Sequence, residues 1–306
     1  MTIRRTTRKV GRPRPKATAA HAVNRVGTLG DSATLTQRYD KLDASAGYDP
    51  LDFLATRRFL LGQRRFGKTI LIAGQRETAY LDFDCGSFNR AMGAGTVRFP
   101  IKTYQRFKEV MEVFFAEAEA GKFPFRHVVF DTIDTMRQLV RGQMSDEINS
   151  GNDIVSYGKG GKGYDMLTRR CLLHLNNVTA KLKVGWTVLG HLKYRSVKDE
   201  DGDEVQLWAP AVNPGLSDGI AQLADLLLEI KRIAYVIPAA KKGNADSWGH
   251  KFTLETVTPP ELLWTTHELG TRVPMQAEFD IPKVGGIELL EQHYLDAVKA
   301  ERKNWE

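Results

Sequence analysis

Cysteine is scarce in this sequence, and long apolar runs are missing from it. The 306 residues include two cysteines, Cys85 and Cys171, which stand alone and lack the spacing of a zinc site or a disulfide framework. No apolar run approaches the ~18 residues of a membrane-spanning helix. The basic start of the chain is not followed by the apolar segment of a secretory signal. We therefore expect two reduced thiols, a cytoplasmic location and no membrane partner.

Acidic residues are absent from residues 1–16, which carry seven positive charges. The formal net charge of the whole chain is also +7, so the rest of the protein is formally neutral. Residues 1–27 are rich in arginine, lysine, threonine and alanine, which predicts a disordered basic tail before one folded domain over residues 28–306. Such a tail is typical of segments that bind a polyanion, and nucleic acid is the first candidate. The alternative is a solvated tail that only aids solubility.

A phosphate-binding loop pattern, Gly-x-x-x-x-Gly-Lys-Thr, occupies residues 62–69. This spacing lets backbone N–H groups surround a phosphate, while Lys68 reaches the β- and γ-phosphates and the Thr69 hydroxyl binds Mg²⁺. The apolar run before the pattern predicts a strand and the run after it predicts a helix, an order that favours a true P-loop over a chance loop. The residues predicted to bind the nucleotide are Gly62, Gln63, Arg64, Arg65, Phe66, Gly67, Lys68 and Thr69.

Acidic residues follow the apolar runs of two later segments, at the expected carboxyl ends of strands. The pattern of residues 127–131 predicts a buried strand that delivers Asp131 to the carboxyl edge of a parallel sheet, where it can hold Mg²⁺ together with Thr69. The pattern of residues 79–84 predicts a strand that ends with Asp82 and Asp84. An aspartate after an apolar run also caps many helices, which is the alternative for Asp131.

His191 and a glycine-rich segment complete the set of candidate residues. His191 follows the apolar run 185–190, so it should lie at the same sheet edge and could sense the γ-phosphate; the alternative is a surface histidine at a strand end. Residues 156–164 are cationic and flexible, and such a loop suits a phosphate backbone with rings for base stacking. The alternative is an ordinary connector. The predicted DNA-binding residues are Tyr157, Lys159, Lys162 and Tyr164.

Strands alternate with helical patterns along the chain, which predicts an α/β fold with a mainly parallel sheet flanked by helices. Helical spacing of apolar residues marks 104–120, 165–182, 214–223 and 287–301. Residues 194–209 are predicted to form a β-hairpin with an acidic turn. Residues 224–230 and 251–255 are predicted to be late strands.

Taken together, these motifs resemble the RecA-like P-loop ATPases of bacteriophages, in particular the Sak-type recombination and phage nucleotide-binding proteins. The resemblance covers the P-loop, the acid-ended strands, the Tyr-Gly stretch before a helix, and His191. It implies a RecA-like fold with ATP and Mg²⁺, with Lys68, Asp84 and His191 as catalytic residues. The family carries Asp-x-Glu at the end of the second strand, so Asp84 matches the catalytic glutamate but is one methylene shorter. Arg64 and Arg65 replace the family's proline and glycine.

The resemblance also implies partners and a setting. The implied partners are single-stranded DNA, a phage or host single-strand-binding protein, and further copies of this chain in a homo-oligomer, where a neighbour's arginine completes each site. The implied location is the cytoplasm of a phage-infected bacterial cell. The predicted function is therefore an ATP-hydrolysing, single-stranded-DNA-binding protein of phage recombination, annealing or repair. One alternative is a DNA-binding module with ATP as a structural ligand and negligible hydrolysis. Another is a P-loop kinase of a small molecule. A GTPase is disfavoured, since no Asn-Lys-x-Asp segment occurs.

Overall fold

The computed structural model describes residues 52–85, 92–198, 204–237, 247–256, 278–280 and 286–303. The predicted basic tail at 1–27 and the predicted domain boundary at residue 28 lie outside the described residues. Among the described residues, no helix combines the length and the apolar character needed to cross a membrane.

A mixed β-sheet forms the centre of the described chain. Its strands are β1 Arg57–Gly62, β2 Thr78–Asp82, β3 Val97–Pro100, β4 His127–Asp131, β5 Gly185–Lys198, β6 Glu204–Pro210, β7 Leu226–Ile237, β8 Ser247–Thr256 and β9 Glu278–Asp280. Their order in the sheet is β3-β2-β4-β5-β1-β7-β8-β9, and β6 pairs with β5. All neighbouring pairs from β3 to β7 are parallel, whereas β6, β8 and β9 pair antiparallel.

Helices connect most of the parallel strands. The helices are α1 Lys68–Ala73, α2 Tyr104–Glu119, α3 Ile133–Ile148, α4 Lys162–Asn177, α5 Pro214–Leu223 and α6 Gly286–Lys303. Sequence signals explain two of their starts: Thr103 caps α2 by accepting a hydrogen bond from the Arg106 N–H at 3.1 Å, and Pro214 occupies the first turn of α5. Short 3₁₀ turns occupy Phe53–Ala55 and Ile154–Ser156, and a π-helical turn, Val178–Leu182, follows α4.

The sheet has an apolar layer on each face. Side chains alternate along a strand, so Phe59 and Leu61 pack with α2 to α5 on one face, while Leu60 packs with α1 and α6 on the other. Strands covered on both faces must be apolar at nearly every position, which explains the continuous apolar runs in β1, β4 and β5. The predicted fold class, an α/β core with a mainly parallel sheet flanked by helices, is confirmed.

Two strands run further than the sequence predicted. The strand predicted to end at His191 continues to Lys198, because its polar second half pairs with β6 as an exposed ribbon instead of lying in the core. The predicted hairpin is thus the continuation of a core strand. Similarly, β7 extends to Ile237 and pairs antiparallel with β8. Both extensions lie beyond the parallel part of the sheet, and each pairs antiparallel with the strand that follows it.

Candidate functional site

The P-loop joins β1 to α1 at the centre of the sheet, in the predicted strand–loop–helix order. Gly62 lies between His191 and Ile230 in the sheet register, and a Cβ atom on it would lie 3.1 Å from the Ile230 carbonyl oxygen. The loop turns through positive φ angles at Arg65 (67°) and Gly67 (91°). The positive φ therefore favours glycine at position 67, and the close approach of the Ile230 carbonyl oxygen favours it at position 62.

The remaining predicted loop residues point in different directions. The side chains of Arg64 and Arg65 are exposed, so these unusual cations lie on the outside of the loop. Phe66 packs against the apolar layer of α1 and α6. The Gln63 carbonyl oxygen accepts a hydrogen bond from the Phe66 N–H at 3.4 Å, which helps to hold the loop closed.

Lys68 is almost fully buried at the base of the loop. Its ammonium group donates hydrogen bonds to the carbonyl oxygens of Gly62 at 2.7 Å and Gln63 at 2.8 Å. Burial lowers the pKa of Lys68 to about 8, and nearby carboxylates act in the opposite direction. These carboxylates belong to Asp131, Asp134 and Asp84. Among the described residues, only neutral carbonyl oxygens accept hydrogen bonds from this cation, an arrangement that fits an anionic phosphate.

Asp131 lies at the end of β4 and receives two hydroxyl donors. The Thr69 hydroxyl donates to its Oδ2 atom at 2.8 Å, and the Tyr80 hydroxyl from β2 donates to the same oxygen. Burial raises the pKa of the Asp131 carboxyl, and these two hydrogen bonds oppose the rise. Burial also raises the pKa of Tyr80, with the Asp131 charge adding to the effect.

A hydroxyl beside a carboxylate offers the hard oxygen donors that Mg²⁺ prefers. Within the described part of the chain, no group of three or more His, Cys, Asp or Glu could form a metal cage by itself. This donor set fits a cation that takes most of its ligands from phosphates and water, as Mg²⁺ does in nucleotide sites. Thr69 and Asp131 are the residues that would hold it.

The two acids after Tyr80 have different surroundings. β2 ends at Asp82, which is buried and paired with Arg98, whose Nε atom donates at 2.7 Å. Asp84 lies two residues beyond the strand and is exposed. The chain leaves the strand there because the N–H groups of Phe83 and Asp84 both donate to the Asp131 carbonyl oxygen, at 2.7 and 3.4 Å. This turn places Asp84 beside the end of β4.

Hydroxyl groups also hold the Asp84 carboxylate. The Thr132 hydroxyl donates to it at 3.3 Å, and the Thr135 hydroxyl donates to the same oxygen. Asp84 thus lies next to Asp131 and close enough to Lys68 for their charges to interact. The structure therefore brings together Lys68, Thr69, Asp84 and Asp131 from separate segments of the chain.

His191 also lies at the carboxyl edge of the parallel sheet, where the Asp134 carboxylate contacts it. Its backbone N–H donates to Asp134 Oδ2 at 3.0 Å, and its ring Nδ1 lies 3.1 Å from the same oxygen. Asp134 belongs to the first turn of α3. Asp134 and Tyr80 were not assigned a role from the sequence. Asp134 follows Asp131 by only three residues, and this short spacing was a usable signal. No local pattern marks Tyr80.

The predicted DNA-binding residues lie together, away from the P-loop in sequence. The α4 helix begins three residues earlier than predicted, after Gly161 with φ 81°, so Lys162 and Tyr164 are helical. Lys159, Lys162 and Tyr164 are exposed and Tyr157 is half-buried. The Lys162 ammonium lies 5.5 Å from the centre of the Tyr157 ring.

This segment is anchored to α3. Arg141 of α3 donates from Nε to Asp153 at 2.8 Å, and the Ser145 hydroxyl accepts from the Ile154 N–H at 2.9 Å. The same helix carries Asp134 in its first turn. One helix therefore contacts both His191 and the base of the segment 157–164.

A pocket of about 310 Å³ opens beside the P-loop. Its wall includes the ribbon formed by β5 and β6, where Trp208 packs on Tyr194 with ring centres 3.6 Å apart. The lining residues are Gln63, Phe66, Leu192, Trp208, Glu229, Ile230, Lys231 and Arg232. Sequence reasoning did not find this pocket, because distant segments of the chain form it.

Comparison with known protein families shows that this chain matches a family model. Residues 55–261 match the model of a family described as an AAA domain. No curated protein matches the chain. Among solved structures, the RadB recombinase is similar, with 15% sequence identity, a TM-score of 0.37, and an alignment that covers 79% of this chain and 97% of that one. The AAA-domain match covers more than half of the chain and includes the P-loop, Asp84, Asp131 and His191, so the protein belongs to this AAA-domain family.

Proposed function

We propose that the protein hydrolyses ATP in the presence of Mg²⁺, binds single-stranded DNA, and acts in phage DNA recombination, annealing or repair. The observation that carries the ATPase part of this proposal is the grouping of Lys68, Thr69, Asp131 and Asp84 at one edge of the sheet. The 2.8 Å contact between Thr69 and Asp131 supports it most directly, because it joins the P-loop to the acid of β4.

Each of these residues has a distinct chemical task. Lys68 contributes a buried positive charge that stabilises the phosphates. Thr69 and Asp131 would hold Mg²⁺, which neutralises developing negative charge on a transferring phosphoryl group. Asp84 orients or deprotonates water, and the hydroxyls of Thr132 and Thr135 keep its carboxylate in place. His191 reports on the state of the nucleotide.

Contact with DNA is proposed for the segment 157–164. Its exposed lysines suit a phosphate backbone and its tyrosine rings suit base stacking. The anchoring of this segment on α3 supports a connection with His191, since Asp134 of the same helix holds that histidine. We propose that the protein acts as a homo-oligomer, in which a neighbour contributes an arginine to each site.

A second candidate function is a DNA-binding module that holds ATP as a structural ligand with negligible hydrolysis. The observation that favours it is the surroundings of Asp84, whose short carboxylate is already engaged by two threonine hydroxyls. Under this alternative, nucleotide binding would stabilise the protein while turnover stayed near the uncatalysed rate. Turnover measurements therefore separate the two candidates.

The test compares ATP turnover and ATP affinity, with and without single-stranded DNA. We expect Lys68→Ala to abolish turnover, and Asp84→Asn to reduce it about 100-fold while ATP affinity changes little, because a water-positioning group acts in the transition state. Replacing Lys159 and Lys162 by alanine should reduce stimulation by DNA. Replacing the exposed Lys108 and Lys122 on and after α2 removes the same charge and is the matched control.

Two outcomes would contradict the proposal of a DNA-stimulated ATPase, and a third would relocate its DNA contact. Unchanged turnover in Lys68→Ala would exclude the P-loop as the reaction site. Wild-type protein that binds ATP tightly but turns it over no faster than Asp84→Asn would establish the second candidate. Equal effects of the two lysine pairs on DNA stimulation would remove segment 157–164 from the DNA contact.

A further inference from the structure

Asp134 is the carboxylate that holds His191. It lies three residues after Asp131, in the first turn of α3, and its Oδ2 atom contacts both the backbone N–H and the ring Nδ1 of His191. The two side chains are mostly buried, with 14% of His191 and 16% of Asp134 exposed. Two contacts from a single oxygen fix both the backbone and the ring at the end of the core part of β5.

The contact also determines which ring nitrogen carries the proton. A carboxylate can only accept hydrogen bonds. The Nδ1 atom must therefore donate, and the neutral ring is the tautomer with hydrogen on Nδ1 and an acceptor lone pair on Nε2. A histidine held in this way offers a defined acceptor, whereas an unheld ring would exchange between tautomers and orientations.

We propose that Asp134 is a positioning residue for the reaction. It keeps His191 in one tautomer and one orientation at the carboxyl edge of the parallel sheet, beside the P-loop. This inference rests on the proposed function, in which His191 responds to the nucleotide. His191 pairs in register with Gly62, the first residue of the P-loop. Asp134 is therefore placed to transmit a change at His191 to α3, and Arg141 and Ser145 of α3 contact Asp153 and Ile154, just before the segment 157–164.

The direct test is nitrogen NMR of the imidazole rings in the nucleotide-free protein at about pH 9, where an unperturbed histidine is neutral. The His191→Gln variant identifies the His191 signals. In the wild type we expect the Nδ1–H tautomer alone. Asp134→Ala should give a mixture of tautomers, and Asp134→Asn, which keeps an acceptor oxygen, should restore the Nδ1–H form. A pure Nδ1–H tautomer in Asp134→Ala would overturn the inference.

The kinetic arm separates positioning from a merely structural role. We expect kcat to fall roughly 10- to 100-fold in Asp134→Ala with little change in KM for ATP, since misplaced groups slow the reaction without weakening binding. Asp134→Asn should recover most of this loss. The exposed Asp146 on the same helix gives the matched control, Asp146→Asn. Wild-type turnover in Asp134→Ala would also overturn the inference, whereas absence of turnover in the wild type would overturn the proposed function itself.

Discussion

The Asp131 carboxylate shows how single side chains prepare this site. Burial alone would favour the neutral acid, which could not bind a cation well. Hydrogen bonds from Thr69 and Tyr80 oppose that effect by stabilising the charged form. Both donors contact the same oxygen, Oδ2, so the orientation of the carboxylate is held from two sides, by the P-loop helix and by β2.

We expect the Tyr80 hydroxyl to strengthen Mg²⁺ binding through its contact with Asp131. Tyr80→Phe removes one donor and leaves the ring packing in place, so Asp131 should hold its charge and its orientation less well. We expect the Mg²⁺ concentration for half-maximal ATP binding to rise roughly tenfold, the usual effect of losing a partner of a metal ligand. Calorimetric titration of ATP at a series of Mg²⁺ concentrations measures this directly.

Tyr104→Phe is the control for this substitution. Its hydroxyl contacts His174 at 3.2 Å, between α2 and α4, so its loss should affect folding stability and leave the Mg²⁺ dependence unchanged. If both variants show the wild-type Mg²⁺ dependence, Tyr80 serves only to fill the core.

The connection between α3 and α4 shows how an element is positioned by backbone contact. The Gly163 N–H donates to the Tyr157 carbonyl oxygen at 3.1 Å. A Cβ atom on Gly163 would lie only 1.8 Å from the Ile154 carbonyl oxygen, a backbone atom that cannot rotate away. The first turn of α4 therefore packs directly on the 3₁₀ turn Ile154–Ser156, and this contact requires glycine.

Alanine substitutions at two helical glycines, Gly163 and Gly142, should change the stability of the protein in opposite directions. Gly163→Ala should destabilise the protein by about 3 kcal/mol, the upper range for an overpacked site, and should displace Lys162 and Tyr164. A Cβ atom on Gly142 in α3 would meet no described atom outside its own helix within 4 Å. Gly142→Ala should therefore stabilise the protein by about 0.5–1 kcal/mol through helix propensity. Urea unfolding of the two variants measures both signs, and destabilisation of similar size in both would contradict the close contact at Gly163.

His127 joins several elements at the amino-terminal edge of the sheet. Its Nδ1 lies 2.7 Å from the Leu54 carbonyl oxygen, and its Nε2 lies 2.8 Å from the Thr187 hydroxyl and 3.1 Å from Arg58 Nη2. Only a donor can face a carbonyl, so the proton lies on Nδ1 and Nε2 accepts. Burial lowers the pKa of His127 far below its usual value, and the Arg58 charge adds to the effect.

We expect His127 to make the folding stability of the protein depend on pH. An unfolded chain takes up a proton at His127 below about pH 6.5, whereas the folded protein resists it. Stability from this group is therefore complete above about pH 6.5 and is lost as the pH falls below it. His174 acts with the same sign, because burial lowers its pKa to about 4.

Urea unfolding at about pH 7.5 and about pH 5.5 measures the effect. Between these pH values, the stability advantage of the wild type over His127→Gln should shrink by about 1.4 kcal/mol, the free energy of one pKa unit. A parallel pH dependence in the two proteins would show that His127 can be protonated in the folded state.

Much of the site was readable from the sequence, because its signals are local. The spacing from Gly62 to Thr69 is set by how a backbone encloses a phosphate, and apolar runs before Asp131 and His191 mark strands covered on both faces. The sheet edge where these residues meet follows from parallel strands alone. The class of fold, the P-loop and the segments that carry the candidate residues were therefore determined by the sequence.

Which side chains contact one another depends on the tertiary structure and could not be predicted from the sequence. Tyr80 meets Asp131 because β2 and β4 are neighbours, with Leu81 paired to Phe130 and Asp82 to Asp131. Asp82 is withdrawn into an ion pair with Arg98 of β3, which leaves Asp84 as the exposed acid. These contacts depend on strand order and on long-range packing, since residues far apart in the chain supply each partner, and no spacing along the sequence encodes them.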